Sequence, residues 1–134
     1  MKFTDLIHVA SSALSAQGAR LRVSAENLAN ASTVNAPGEE PFKRKIVILE
    51  AVAGRKQGPT MVRVSEISEG DEAGTLKYEP AHPKADEQGY VLYPAISPII
   101  EMADMRDAEK SYRANLQVIE GAKRLVRSAL QIIR

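Results

Sequence analysis

The chain contains no cysteine and no tryptophan. Without thiols there are no disulfides, no zinc–thiolate sites and no cysteine nucleophile, although this alone does not fix a compartment. Aromatic residues make up 4% of the chain, too few for a large ring-lined pocket. The formal net charge is +1, so there is no overall electrostatic footprint for nucleic acid or an anionic membrane. No apolar run approaches the roughly 18 residues that span a bilayer. GxGxxG, P-loop and GxSxG patterns are missing, which leaves phosphate-cradle and serine-elbow chemistry without support. The opening MKFTDLIHVASSALSA shares Lys2 and small residues with secretory leaders. Asp5 and His8 interrupt the apolar stretch and the helical period runs on, so no cleavage is expected.

What the chain does have is a sharp partition. Its 134 residues suffice for one ordinary domain. All 7 prolines fall between Pro37 and Pro98, and only Gly18 and Gly121, of 8 glycines, lie outside that window. Proline and glycine punctuate local structure. The expected division is a helical part over residues 1–36, a β-rich middle over 37–96 and a second helical part over 97–134.

The first segment reads as a helix from about Thr4, as N-cap, to Asn30. Ile7, Leu14, Leu21 and Leu28 recur every seven residues, and Ala10, Gln17, Ser24 and Ala31 follow each by three. The last segment mirrors it: Ser97 caps, Pro98 takes the first helical position, and Met105, Tyr112, Ile119, Val126 and Ile133 repeat the spacing. Acids lead, with Glu101, Asp104, Asp107 and Glu109. Lys123, Arg124, Arg127 and Arg134 trail, in the order that complements the helix dipole. Such a helix would be roughly 55 Å long. Two heptad helices at opposite ends can pair as an antiparallel coiled coil. At roughly 25 cal/mol per Å², thin seams contribute only on the order of ten kcal/mol, less than ordering roughly 60 residues costs. Both ends are therefore expected to be partly disordered in a free monomer and to gain helix when several copies or partners pack.

In the middle, Lys43–Glu50 and Met61–Ile67 read as strands, with Leu76–Tyr78 and Tyr90–Tyr93 as shorter ones. Strict alternation puts Met61, Arg63, Ser65 and Ile67 on one face and Val62, Val64 and Glu66 on the other. Gly54–Pro59 and Gly70–Gly74 read as turns. The expected class is α+β: long N- and C-terminal helices with a small antiparallel β region between them.

Candidate chemistry is sparse. His82 with Asp86 and Glu87 could in principle hold a metal or move protons. Pro80 and Pro83 make that stretch a loop, and one imidazole beside ordinary acids is a weak metal signature; no metal and no cofactor are assigned. Lys43, Arg44 and Lys45 could meet phosphate but read better as a solvated strand start. Asn27 and Asn30 are harder to dismiss, because a helix-end cap explains one asparagine and not both.

These residues resemble a known family. Ser12-Ala13-Leu14-Ser15-Ala16-Gln17, Arg20-Leu21-Arg22-Val23 and Glu26-Asn27-Leu28-Ala29-Asn30-Ala31-Ser32-Thr33, followed by Phe42-Lys43-Arg44, are similar to the N-terminal signature of bacterial flagellar rod and hook proteins. The block Tyr78–Asp86 with Gly89-Tyr90-Val91, then Pro94, Glu101-Met102, Asp104-Met105, Ala108 and Ser111–Asn115, is similar to proximal-rod members of that family. The resemblance implies a structural subunit rather than an enzyme, exported unfolded through the flagellar type III apparatus without cleavage and assembled in the periplasmic rod of the basal body. It further implies terminal helices forming the inner layer of a helical tube that transmits torque. Implied partners are copies of itself, FlgB, FliE, FlgF and FlgG, and the export apparatus, with no nucleic acid, membrane insertion or small-molecule substrate. Leu14, Leu21, Leu28, Met105, Tyr112, Ile119 and Val126 are the expected packing residues; Asn27, Asn30 and Asn115 are the expected polar contacts. A cytoplasmic coiled-coil adaptor or export chaperone is the alternative, with a small metal enzyme built on His82 behind it.

Overall fold

A computed structural model describes residues 2–54 and 58–132. The elements run α1 (Phe3–Asn30), β1 (Lys45–Val52), β2 (Met61–Glu69), β3 (Thr75–Tyr78), β4 (Tyr90–Tyr93) and α2 (Pro98–Ile132). The class is α+β, with the strands between two long helices. Helix α1 starts ahead of Thr4. The Asp5 carboxylate accepts the Lys2 backbone N–H at 2.7 Å, so an acid three residues in satisfies a donor the helix end would strand. Helix α2 starts at Pro98, and the Glu101 N–H donates to the Ser97 carbonyl at 3.1 Å.

The helices pack antiparallel: Asn27 bonds Glu101, and a Cβ on Gly18 would lie 4.0 Å from the Tyr112 ring. Their buried apolar residues are Ala10, Ala16, Ala19, Val23, Ala108 and Ala122. Of the residues three beyond the large heptad positions, Ala10, Ser24, Ala108 and Ala122 go inside, Gln17, Ala31 and Asn115 are half-buried and Ala129 is exposed, while Leu14, Leu21, Leu28, Met105, Tyr112 and Ile119 are themselves only half-buried. Only small side chains fit where two helix backbones come this close. At 1.5 Å per residue α1 is about 42 Å long and α2 about 52 Å, so α2 runs past the beginning of α1. Val126, on the same stripe as Ile119, is therefore 40% exposed.

Strands β1 and β2 form an antiparallel hairpin from Lys45↔Glu69 to Val52↔Met61. It lies along α1: the Val62 N–H donates to Ser12 Oγ at 3.2 Å, and Lys45 meets Asn27 near the helix's other end. The register shifts between Ile48 and Leu49, leaving Ser65 as an extra residue on β2. This β-bulge overrides the alternation read from sequence, and Val64 and Ile67 line one hollow with Leu14 and Tyr112. Strand β1 begins at Lys45 rather than Lys43, because the Gly70 N–H closes the ladder on the Arg44 carbonyl at 2.8 Å. Of the expected Gly54–Pro59 turn, residues 55–57 lie outside the described residues.

Strands β3 and β4 pair from Thr75↔Tyr93 to Tyr78↔Tyr90, with the Tyr78 and Tyr90 rings edge-on at 5.3 Å. Asp86 organises the loop between them. Its Oδ1 accepts the N–H groups of Gln88 and Tyr90 at 2.9 and 2.8 Å, and Gly89 turns at φ +84°.

Candidate functional site

The strongest concentration of buried polarity is a junction where the end of α1, the start of β1 and the first turns of α2 meet. Asn27 is 1% exposed. Its Nδ2 donates to the Lys45 carbonyl at 2.8 Å and to Glu101 Oε2 at 3.2 Å. Its Oδ1 accepts the Lys45 N–H at 2.9 Å. A primary amide is the side chain that both gives and takes at one short reach, so Asn27 holds Lys45 much as a neighbouring strand would.

Glu101 is fully buried, in the first turn of α2, where a carboxylate also meets the positive end of the helix. Arg44 Nε donates to its Oε1 at 2.5 Å, and Arg44 Nη2 reaches Asp104 at 3.3 Å. Lys45 Nζ pairs with Glu26 at 2.5 Å. Among the described residues no buried side-chain polar atom lacks a partner. The reading of Lys43–Lys45 as a solvated strand start holds for Lys43 alone, which pairs with exposed Glu40 at 2.8 Å. Arg44 and Lys45 turn inward because Glu101, Asp104 and Glu26 await them. A buried pair of this kind gains little over an apolar replacement, but removing one partner strands the other. The pair ties the start of β1 to the first turns of α2.

The other asparagines work locally. Asn30 Nδ2 donates to the Glu26 carbonyl at 2.8 Å, and its Oδ1 accepts Thr33 Oγ1 at 3.3 Å, which closes the end of α1. Asn115 Nδ2 bonds the Ser111 carbonyl at 2.8 Å within α2. Sequence reasoning passed over Glu101 and Arg44; each looked like an ordinary surface charge, and their separation of 57 residues carries no local signal.

His82 faces its own loop, with Nδ1 accepting the Lys84 N–H at 3.1 Å. Among the described residues no group of His, Asp and Glu is arranged to hold a metal ion. Nearby, Tyr93 donates its hydroxyl to Glu79 at 2.9 Å, and this bond holds the phenol pKa above its ordinary value of 10.0.

The remaining feature is surface. Leu116, Val118, Leu125, Leu130 and Ile132 of α2 are all exposed, Ile132 at 85%. The chain exposes 9655 Å², whereas a compact monomer of 14.6 kDa exposes roughly 6,900 Å².

Comparison with known proteins follows the same lines. Residues 7–36 match the family described as flagella basal body rod protein, and residues 87–132 match the flagellar basal body rod FlgEFG protein C-terminal family. The chain is 39% identical over 127 residues to the flagellar basal-body rod protein FlgC of Agrobacterium fabrum, covering 94% of this chain and 91% of that one. It is 36% identical over 132 residues to FlgC of Salmonella typhimurium, covering 98% of each. FlgC of Bacillus subtilis is 34% identical over 142 residues, covering 94% of this chain and 95% of that one.

Proposed function

The chain belongs to the FlgC family of flagellar basal-body rod proteins and is a structural subunit of the basal-body rod, not an enzyme; from this we propose how it is built in. The two helices form the inner layer of a helical tube and residues 37–96 its outer layer. Leu14, Leu21, Leu28, Met105, Tyr112, Ile119 and Val126 pack between subunits. Asn27, Asn30 and Asn115 hold the helix ends and faces in register.

The surface excess carries this reading: 9655 Å² exposed on a chain of this size is roughly 2,700 Å² more than a compact monomer keeps. A standard interface takes roughly 800 Å² from each partner, so the excess matches a subunit with several neighbours. The alanine-lined contact of α1 with α2 supports the same view, because larger side chains remain outside for others to cover.

Contacts that do not close on themselves generate tubes rather than rings. The neighbours are copies of this chain, FlgB, FliE, FlgF and FlgG, and the tube carries torque across the periplasm. The chain reaches that site unfolded, through the flagellar type III export apparatus.

Leu21→Asp tests the packing. It adds a charge to a half-buried flank, so expression should persist while assembly and motility are lost. A motile strain carrying it would overturn the packing assignment. Peptide mass spectrometry of extracted basal bodies should recover the segment from Asp5 to Ala16 intact.

A further inference from the structure

Helix α1 lies between the hairpin and α2. Among the described residues, β1 and β2 pack on α1 and not on α2, and Gly18 of α1 faces Tyr112 of α2. Such a stack has two flanks. On the first, Leu14, Ser15 and Arg22 of α1, Val64 and Ile67 of β2 and Tyr112 of α2 border an open hollow of about 540 Å³. Ser11, seven residues before Gly18, is exposed on the same side of α1. Arg22 is exposed and makes no ion pair among the described residues.

The second flank belongs to α2. Glu101, Ala108 and Ala122 mark its buried line. Residues four further on, such as Tyr112, turn to the first flank, and residues three further on turn to the other. There Asp104 meets Arg44, Ser111 follows, and Val118 and Leu125 continue the seven-residue spacing, both exposed. Asp107 stands beside this line, exposed and, like Arg22, without an ion pair among the described residues. Heights match as well. Asn27 lies level with Glu101, and Gly18 with Tyr112. Along antiparallel helices this sets Arg22 level with Asp107 and Ser11 level with Val118, on opposite flanks of one chain.

We propose that the Asp107–Val118 flank of one copy packs on the hollow flank of a second copy beside it, with Asp107 pairing with Arg22 of the second copy. Resting on the rod-subunit reading, this names the side-to-side joint between identical neighbours. The occupant is a second copy because each chain holds both halves at one height, apolar facing apolar and acid facing base. Joined in this way, the hairpins all stay beyond α1 and the Arg106–Lys110 face of α2 stays on the opposite side, as an outer and an inner layer require. Unlike flanks meet, so the contact is heterologous and repeats from copy to copy. An exposed pair contributes little by itself. It sets the relative height of neighbours and rejects like-charged alignments.

The absence of native cysteine makes the joint directly testable. Chains carrying Ser11→Cys and chains carrying Val118→Cys are co-produced in a flagellated host lacking its own copy, and isolated basal bodies are oxidised. The expected product is a thiol-reducible species of twice the chain mass that neither chain gives alone. Its absence, with both chains present in the basal bodies, would overturn the contact while leaving rod membership intact. The same species from either chain alone would show like flanks meeting and would overturn it too. Absence of the parent chain from the basal bodies would instead remove the reading on which the contact rests. Charge is tested separately. Arg22→Asp sets like charges face to face and should reduce swarming about tenfold, and adding Asp107→Arg should restore it. Undiminished swarming of the single variant, or no recovery in the combined one, would overturn the pairing.

Discussion

A single carboxylate, Glu101, shows how much one side chain commits the rest. Its neighbours are Arg44 and Asn27, and each answers to a different part of the chain. Arg44→Met should leave the buried carboxylate with Asn27 alone and destabilise the fold by about 3–5 kcal/mol. Replacing both, as Arg44→Met with Glu101→Leu, should recover much of that loss. Urea unfolding of the purified chains measures both; equal losses for the single and double variants would argue against the pair. A second residue-scale outcome concerns Tyr93. Its bond to Glu79 favours the neutral phenol, so the pKa is raised on folding. The associated stabilisation is therefore present below the unfolded value and disappears as pH rises through the folded one. An absorbance titration should show Tyr93, identified by Tyr93→Phe, ionising later than a free tyrosine. Glu79→Gln should bring it back down.

Among the elements, the helices and strands are largely legible in the sequence. Heptad spacing bounded α1 and α2, and the confinement of proline to the middle marked the strand region. Serine before Pro98 located the start of α2. What stayed hidden depended on distance or on a local irregularity. The bulge at Ser65 moves Ile67 to the side of Val64, and no two-residue period anticipates it. The junction needs residues 27, 44 and 101 together: Asn27 stands out as a polar contact without a partner in view, and Arg44 and Glu101 look like a surface base and a dipole-facing acid. Likewise the large heptad residues suggested a greasy seam, whereas the close approach of the helices admits alanine and serine and sends the leucines to the flanks. The β3–β4 loop offers a sharp test. A Cβ at Gly89 would lie 2.9 Å from the Tyr78 ring, at a positive φ. Gly89→Ala should cost about 1–3 kcal/mol, read as a lower melting temperature.

For the molecule as a whole, the deciding quantity is how little it buries by itself. Its buried aliphatics larger than alanine are Val23, Val34, Val91 and Ile96 among the described residues. The purified chain at low concentration should accordingly show less helix by circular dichroism than the 28 and 35 residues of α1 and α2, and gain it on assembly. Full helicity in a dilute monomer would contradict that expectation. The unequal lengths of α1 and α2 have a consequence of their own. A particle with one overhanging end has polarity, so any stack made from it points one way. The last copy added leaves Leu130 and Ile132 of the overhang, or the surface that would receive them, wet.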